Sequence, residues 1–343
     1  MNLPRRIVVP LIIVVISLMA VGIAIWTTRS QAPKFSGPPE KLILGTCPLE
    51  LSSLIWVAGD RGYFAENGLD VTIEEYESGF AAMKDLVTDR LGIVTVAEFV
   101  FVGKSFERQD LRILAVIDQW DTTKVVARKD SGISQLSDLK DKRIGLVRGS
   151  TAEFCLARSL AFESIPLGDV RIVDLSPSQQ TEAIKNSEID AAIVWEPHVQ
   201  KMKDALGANA VSLPGQSGQD LYWILVCKDD LIRKRPEVIH RFLSALLAAE
   251  RFVTANQADA KAIVARRLNF ESRFFESLWK KNSFRVTLPQ ALILTMEDQA
   301  RWMMSAGLTK RAEIPDFLDP IYWDGLKSLK PDAISIIHQE DDR

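Results

Sequence analysis

Residues 189–197 read Ile-Asp-Ala-Ala-Ile-Val-Trp-Glu-Pro. The four small or apolar residues after Asp190 predict a short strand buried on both faces. Pro197 cannot continue a hydrogen-bonded ladder, so the chain leaves the sheet there. Trp195 and Glu196 are thus left at the carboxyl end of a buried strand, which is where open α/β sheets bind ligands.

The pattern occurs twice. Leu91-Gly-Ile-Val-Thr-Val-Ala-Glu98-Phe99 aligns with residues 189–197 without gaps, at an offset of 98. Ser78-Gly79 with the amphipathic run to Thr88 matches Ser176-Pro177 with the run to Asn186. Asp70-Val-Thr-Ile matches Asp169-Val-Arg-Ile at an offset of 99. The chain therefore reads as two similar α/β units, each ending a buried strand in a glutamate. Facing units would bring Glu98 and Glu196 into one cleft.

Of 343 residues, 47% are hydrophobic and 25% charged, an ordinary globular composition with room for about two domains. A net charge of -3 gives no basic footprint for nucleic acid. Cys47, Cys155 and Cys227 have no metal or redox spacing and read as buried small residues. No metal or cofactor is expected.

Residues 1–30 stand apart. Arg5-Arg6 precede Ile7 to Trp26, an uncharged run of 20 residues. At ~1.5 Å per residue such a run spans ~30 Å of hydrocarbon. Residues 1–30 therefore read as an uncleaved transmembrane signal anchor, with the arginines holding the N-terminus in the cytoplasm and a cleaved signal peptide as the alternative. Residues 31–40, with Pro33, Pro38 and Pro39, read as a linker.

In the first unit Lys41 to Gly45 is a strand with Thr46, Cys47 and Pro48 at its carboxyl end. A helix follows from Ser52 to Asp60, then a turn through Gly62 and Gly68, then a strand from Val71 to Tyr76. Gly79 opens a helix whose free amides could face a ligand. Leu111 to Ile117 is a strand running into Asp118-Gln119-Trp120; Trp120 reads either as a stacking surface or as packing under a loop.

The second unit opens with a strand from Thr123 to Arg128 and contains the strand Ile144 to Val147. Arg148-Gly149-Ser150-Thr151-Ala152-Glu153 follows. Gly149 permits a tight turn, and Ser150 with Glu153 has the spacing of a capping box. The helix start there carries unpaired N–H groups and partial positive charge, suited to a small anion or polar group. Asp220 to Cys227 is a strand returning the chain to the first unit. Two such crossings make a hinge. Four further helices are expected at 236–253, 259–268, 274–282 and 289–306, with Trp279, Trp302, Met303 and Met304 as core. Residues 317–329 close the domain, and 339–343 are a polar tail.

Gly62-Tyr-Phe, Gly68-Leu-Asp-Val, Ser78-Gly79, Leu136-x-Asp-Leu-Lys-x-Lys-Arg-Ile-Gly145, Gly149-Ser-Thr and Trp195-Glu-Pro together resemble the periplasmic solute-binding proteins of ABC importers. Within them the chain is similar to the nitrate/sulfonate/taurine and thiamin-precursor group. The resemblance implies a type II two-lobe fold, one lobe of residues 41–123 plus 224–343 and the other of 124–223. It implies a monomer that binds a small polar metabolite between the lobes and hands it to a permease driven by an ATPase. The anchor would place this domain outside the inner membrane, in the periplasm or extracellular space. A tethered sensing module is the alternative. Thiamin-pyrimidine synthases share the fold, but their cysteine cluster is absent here.

The expected ligand contacts are Thr46, Gly79, Glu98, Gln119, Trp120, Ser150, Thr151, Trp195, Glu196 and Trp223. Relatives that bind sulfonates carry small neutral groups where this chain has Glu98. A carboxylate there would repel an oxyanion and, with the tryptophans, suit a cationic or amine-bearing ligand. Both ligand classes stay open at this point, as does a role for the two glutamates in holding backbone amides. His198, His240 and His338 have no ligand or nucleophile spacing, and His198 reads as a surface residue at a helix start.

Overall fold

A computed structural model describes residues 37–216 and 218–337. The expected anchor, most of the linker, and the polar tail with His338 lie outside the described residues. Among the described residues no helix is long and apolar enough to cross a membrane.

The chain begins with β1 (Glu40–Thr46), α1 (Ser53–Asp60), α2 (Tyr63–Glu66), β2 (Leu69–Glu75), α3 (Gly79–Val87), β3 (Ile93–Ala97), α4 (Glu98–Ser105) and β4 (Leu111–Trp120). It crosses into β5 (Lys124–Arg128), β6 (Arg143–Leu146), α5 (Thr151–Phe162), β7 (Arg171–Asp174), α6 (Pro177–Lys185), β8 (Ala191–Val194), α7 (His198–Leu206) and β9 (Ala210–Pro214). It then returns through β10 (Leu221–Lys228) to α8 (Asp229–Lys234), α9 (Pro236–Ala255), α10 (Gln257–Leu268), α11 (Ser272–Trp279), α12 (Gln290–Ser305) and α13 (Trp323–Lys327).

Two five-stranded sheets result, ordered β2-β1-β3-β10-β4 and β7-β6-β8-β5-β9. The same plan recurs in both. The first three members are parallel, and an antiparallel strand lies beside the third. That strand is β10 in the first sheet and β5 in the second, so each sheet's antiparallel strand adjoins a crossing between them. The internal likeness maps onto this plan: β2, α3 and β3 correspond to β7, α6 and β8. Buried apolar residues fill β3 and β8 throughout, as expected of central parallel strands.

Residues 221–223, which the resemblance grouped with the second lobe, lie in a strand of the first sheet. Leu221, Tyr222 and Trp223 pair with Trp120, Gln119 and Asp118, so all of β10 belongs to the first sheet.

One face of the second sheet packs on α6 and α7 through Ile184, Val194, Val199 and Met202. Its other face joins the main core through α5. Phe154 of α5 lies 5.7 Å from Phe99 of α4 and 5.5 Å from Trp302 of α12. These rings make one apolar core continuous across the two sheets. Cys47, Cys155 and Cys227 are buried, as the sequence implies. Of the four C-terminal residues expected in the core, Trp279 and Met303 are buried, while Trp302 and Met304 are half-buried against it.

The two crossings touch at Gly215. Its N–H donates to the Thr123 carbonyl at 3.1 Å, and a Cβ there would fall 2.8–3.0 Å from backbone atoms of Lys124. Backbone cannot swing aside as a side-chain tip can. Gly215→Ala is expected to destabilise the fold by about 1–3 kcal/mol, as overpacking does. Chemical denaturation measures this, and an unchanged midpoint would show that the crossings do not pack together.

Candidate functional site

A small cavity of about 40 Å³ lies where the carboxyl ends of the two sheets meet. From the first sheet's side come Cys47, Leu49, Leu51, Ser78, Gly79, Phe80, Ala97, Val100, Trp120 and Trp223. Thr123, Ser150, Thr151, Ala152 and Trp195 come from the hinge and the second sheet. Among the described residues no charged side chain lines it.

Two helix N-termini converge on this space. Gly79 begins α3 because α3 starts against β3: a Cβ at Gly79 would sit 3.1 Å from the Val96 Cα. Ser78 caps the helix, its Oγ accepting the Ala81 N–H at 3.3 Å. The Gly79 and Phe80 amides have no backbone or side-chain acceptor among the described residues.

At α5 the expected capping box is replaced by another arrangement. Ser150 Oγ donates backward to the Val147 carbonyl at 2.6 Å rather than capping the helix. The buried Glu153 carboxylate instead accepts the Gly149 N–H at 2.9 Å and Arg148 Nη1 at 2.8 Å. Gly149 has φ +72°, the left-handed turn foreseen for it. Thr151 and Ala152 are left with amides that have no acceptor among the described residues. Each helix start carries about half a positive charge. Thr151 Oγ1 and Trp195 Nε1 are also buried and unpartnered. Buried donors cost about 1–3 kcal/mol each when unpaired, so a ligand acceptor here would be strongly rewarded.

Six of the ten expected contact residues meet at this cavity: Gly79, Trp120, Ser150, Thr151, Trp195 and Trp223. Trp120 and Trp223 form an edge-to-face pair with centroids 6.1 Å apart. Four residues do other work.

Thr46 is fully buried, bonded to Ser52 Oγ at 2.8 Å and Thr95 Oγ1 at 2.6 Å. Ser52 in turn receives Trp223 Nε1 at 3.1 Å, so Thr46 supports the wall without touching the cavity. Gln119 donates to Asp220 Oδ2 at 2.6 Å, tying β4 to the chain entering β10. Glu98 accepts the Tyr222 N–H at 2.8 Å and Gln299 Nε2 at 2.7 Å. It lies wholly inside, and burial pushes its carboxyl up to about 7. Glu196 accepts the Gln200 N–H at 3.1 Å at the start of α7, and burial raises it from the usual carboxylate range.

The two glutamates therefore lie outside the lining of this cavity. The residue before each does line the cavity: Ala97 and Trp195, which the internal likeness aligns with one another. The useful column of the repeat is one residue earlier than expected. Strand side chains alternate in direction, so a one-residue error reverses the face.

Cys47, Leu49, Leu51, Phe80 and Ala152 were missed because apolar residues at loop ends read as core. Phe80 and Ala152 could have been found, since both sit beside the amides of a helix start. His198 is half-buried, not a surface residue. Its Nδ1 has no partner, and burial lowers its pKa to about 4.

Two mixed sheets with a cavity at their facing carboxyl ends have the architecture of the periplasmic binding-protein fold. The alkanesulfonate-binding protein SsuA from Xanthomonas axonopodis pv. citri bound to MOPS superposes with TM-score 0.72, at 17% identity, over 84% of this chain and 99% of that one. The desulfurization enzyme DSZB also shares the fold, with TM-score 0.61 at 14% identity over 84% of this chain and 98% of its own. The chain belongs to the NMT1/THI5 like family, whose model matches residues 52–260. The taurine-binding periplasmic protein of Escherichia coli (strain K12) is 25% identical over 198 residues, 57% of this chain and 62% of that protein.

Proposed function

We propose that the chain is the extracytoplasmic binding component of an ABC importer, holding a small organic oxyanion of the sulfonate class between its two sheets. The observation that carries this is the meeting of two helix N-termini, with unpaired Thr151 and Trp195 donors, in a neutral aromatic-walled cavity. Open amides suit a fully ionised oxyanion, whose charge needs donors more than a counter-ion. Leu49, Leu51 and Val100 with the tryptophans suit an apolar substituent. A cation would find no carboxylate there, since Glu98 and Glu196 are turned away.

The names of the taurine- and alkanesulfonate-binding relatives support the same class. Residues 41–120 with 221–337 form one lobe of this reading and 124–214 the other, with permease and ATPase as partners. Residues 7–26, uncharged and 20 long, supply the membrane tether in it.

Capture without turnover is favoured over catalysis. Cys47 is the thiol in the cavity, and burial pushes its pKa well above the usual thiol range. Among the described residues no histidine or carboxylate lines the cavity to accept its proton.

Titration calorimetry on the full chain with ethanesulfonate, taurine, nitrate and an alkylamine tests the reading. One sulfonate per chain is expected, with the amine silent. Thr151→Val should weaken sulfonate binding about tenfold, the value of one hydrogen bond to a charged acceptor. Equal responses to sulfonate and amine would refute the ligand class.

A further inference from the structure

Of the residues lining the cavity, Phe80 and Trp195 are half-buried and the rest are buried. Phe80, second residue of α3, is half-buried and lines the cavity from the first lobe. Its ring edge rests on the second lobe at Gly149, where a Cβ would come within 3.0 Å of Phe80 Cε2. The exposed Lys84, one helical turn on, places its Nζ 4.7 Å from the ring centroid. The ring therefore has ligand space on one side and a solvated ammonium on the other. Just beside it, Ser178 Oγ of the second lobe donates to Glu77 Oε1 of the first at 2.6 Å. Both residues are exposed, so this bond competes with water and opens at little cost.

A second contact between the lobes is built differently. There the lobes meet through Phe99, Phe154 and Trp302, the first two at most 1% exposed, with Arg158 paired to Asp298 at 2.9 Å beyond them. Separating these rings would expose large apolar surface at about 25 cal/mol per Å². Opening is thus far cheaper at the Phe80 side.

We propose that the Phe80 ring, seated on Gly149, is the door through which ligand passes and the residue that limits the size of the ligand's tail. The inference rests on the binding reading above for the identity of the ligand, but not for the door itself. Gly149 takes part because any side chain there would meet the ring and would need a left-handed backbone. The aromatic cluster is the fulcrum. A tail longer than the cavity would have to displace the ring and break the Glu77–Ser178 contact.

Cys47 supplies a probe inside the door. It lines the cavity and is fully buried, whereas Cys155 and Cys227 lie outside the lining. Sulfonatoethyl methanethiosulfonate forms a mixed disulfide with an accessible thiol and releases methanesulfinate. On the full chain, Phe80→Ala is expected to speed labelling of Cys47, read by peptide mass mapping, about tenfold or more, because protection follows the cost of local opening. Cys155 and Cys227 should stay unlabelled. Equal Cys47 rates in wild type and variant overturn the proposal. If Phe80→Ala exposes all three thiols, Phe80→Leu decides: a smaller rise confined to Cys47 upholds the door, and no rise overturns it.

Calorimetry with ethanesulfonate and MOPS reads the size limit. The wild-type chain should favour ethanesulfonate, and Phe80→Ala should shift the ratio toward MOPS about tenfold, within the range of pocket-size discrimination. An unmoved ratio overturns the size limit. Faster labelling in a chain that binds neither sulfonate upholds the door and overturns the ligand class.

Discussion

Ala152→Asp is expected to abolish sulfonate binding, lowering affinity at least about a hundredfold. Ala152 is the second residue of α5, lines the cavity and is 1% exposed. Its amide is one of those without an acceptor among the described residues. An aspartate here would place a carboxylate among donors that otherwise serve the ligand. At ~5 Å and an effective dielectric near 20, two like charges repel by about 3 kcal/mol. Since about 1.4 kcal/mol is a factor of ten, that alone accounts for a hundredfold. The new carboxylate would also satisfy the open amides itself.

Folding should survive, because an acidic residue in the first helical turn interacts favourably with the helix dipole. Calorimetry of Ala152→Asp beside the neutral Ala152→Asn checks the idea. The charged variant should lose far more affinity than the amide, with both retaining a cooperative melt. Wild-type affinity in Ala152→Asp would place the oxyanion elsewhere.

Glu50→Gln is expected to stabilise the fold at pH 8 by on the order of 3–5 kcal/mol, and to flatten its dependence on pH. Glu50 follows β1 and is 1% exposed, with Oε2 unpartnered. Facing it are Asp118 of β4, whose two oxygens are also buried without partners, and Glu196 after β8. Burial first, then the nearby Glu196 charge, pushes the Glu50 carboxyl up to about 8. Asp118 is raised well above the carboxylate range by burial and by Glu50.

A carboxyl with a raised folded-state pKa holds its proton longer in the native state than in the unfolded one. Its contribution is fully present below the unfolded value of 4.5 and is lost as pH rises through about 8. Glu98, raised to about 7, adds loss in the same direction. Glutamine keeps the size and never ionises. Denaturant titrations at pH 5, 6.5 and 8 check this: stability of the wild-type chain should fall across the series, and that of Glu50→Gln should fall less. Parallel slopes would mean that Glu50 titrates normally in the folded protein.

The buried pair also illustrates what a sequence conceals. Nothing local marks Glu50, after β1, or Asp118, near the end of β4, as buried, and burial is the main cause of both raised pKa values. Glu98 stood out correctly as a carboxylate at the end of a buried strand, yet its partner Gln299 lies 201 residues away. No local pattern could announce that bond.

Local chemistry was enough for most strands of the two sheets and for the long helices, but not for α4, α7, α8 or β9, and the division into lobes rested on the family resemblance. Apolar runs closed by proline or glycine marked the strands, three- and four-residue spacing marked the helices, and a 98-residue offset exposed the repeated plan. These features depend on side-chain period and backbone freedom, which are properties of short stretches. The direction of each cavity-facing side chain was decided in three dimensions. Whether Ala97 or Glu98, Trp195 or Glu196, meets the ligand depends on a twist of one residue at the end of a strand. That twist is set by what packs behind it: Tyr222 and Gln299 draw Glu98 inward, and the Gln200 amide draws Glu196 aside.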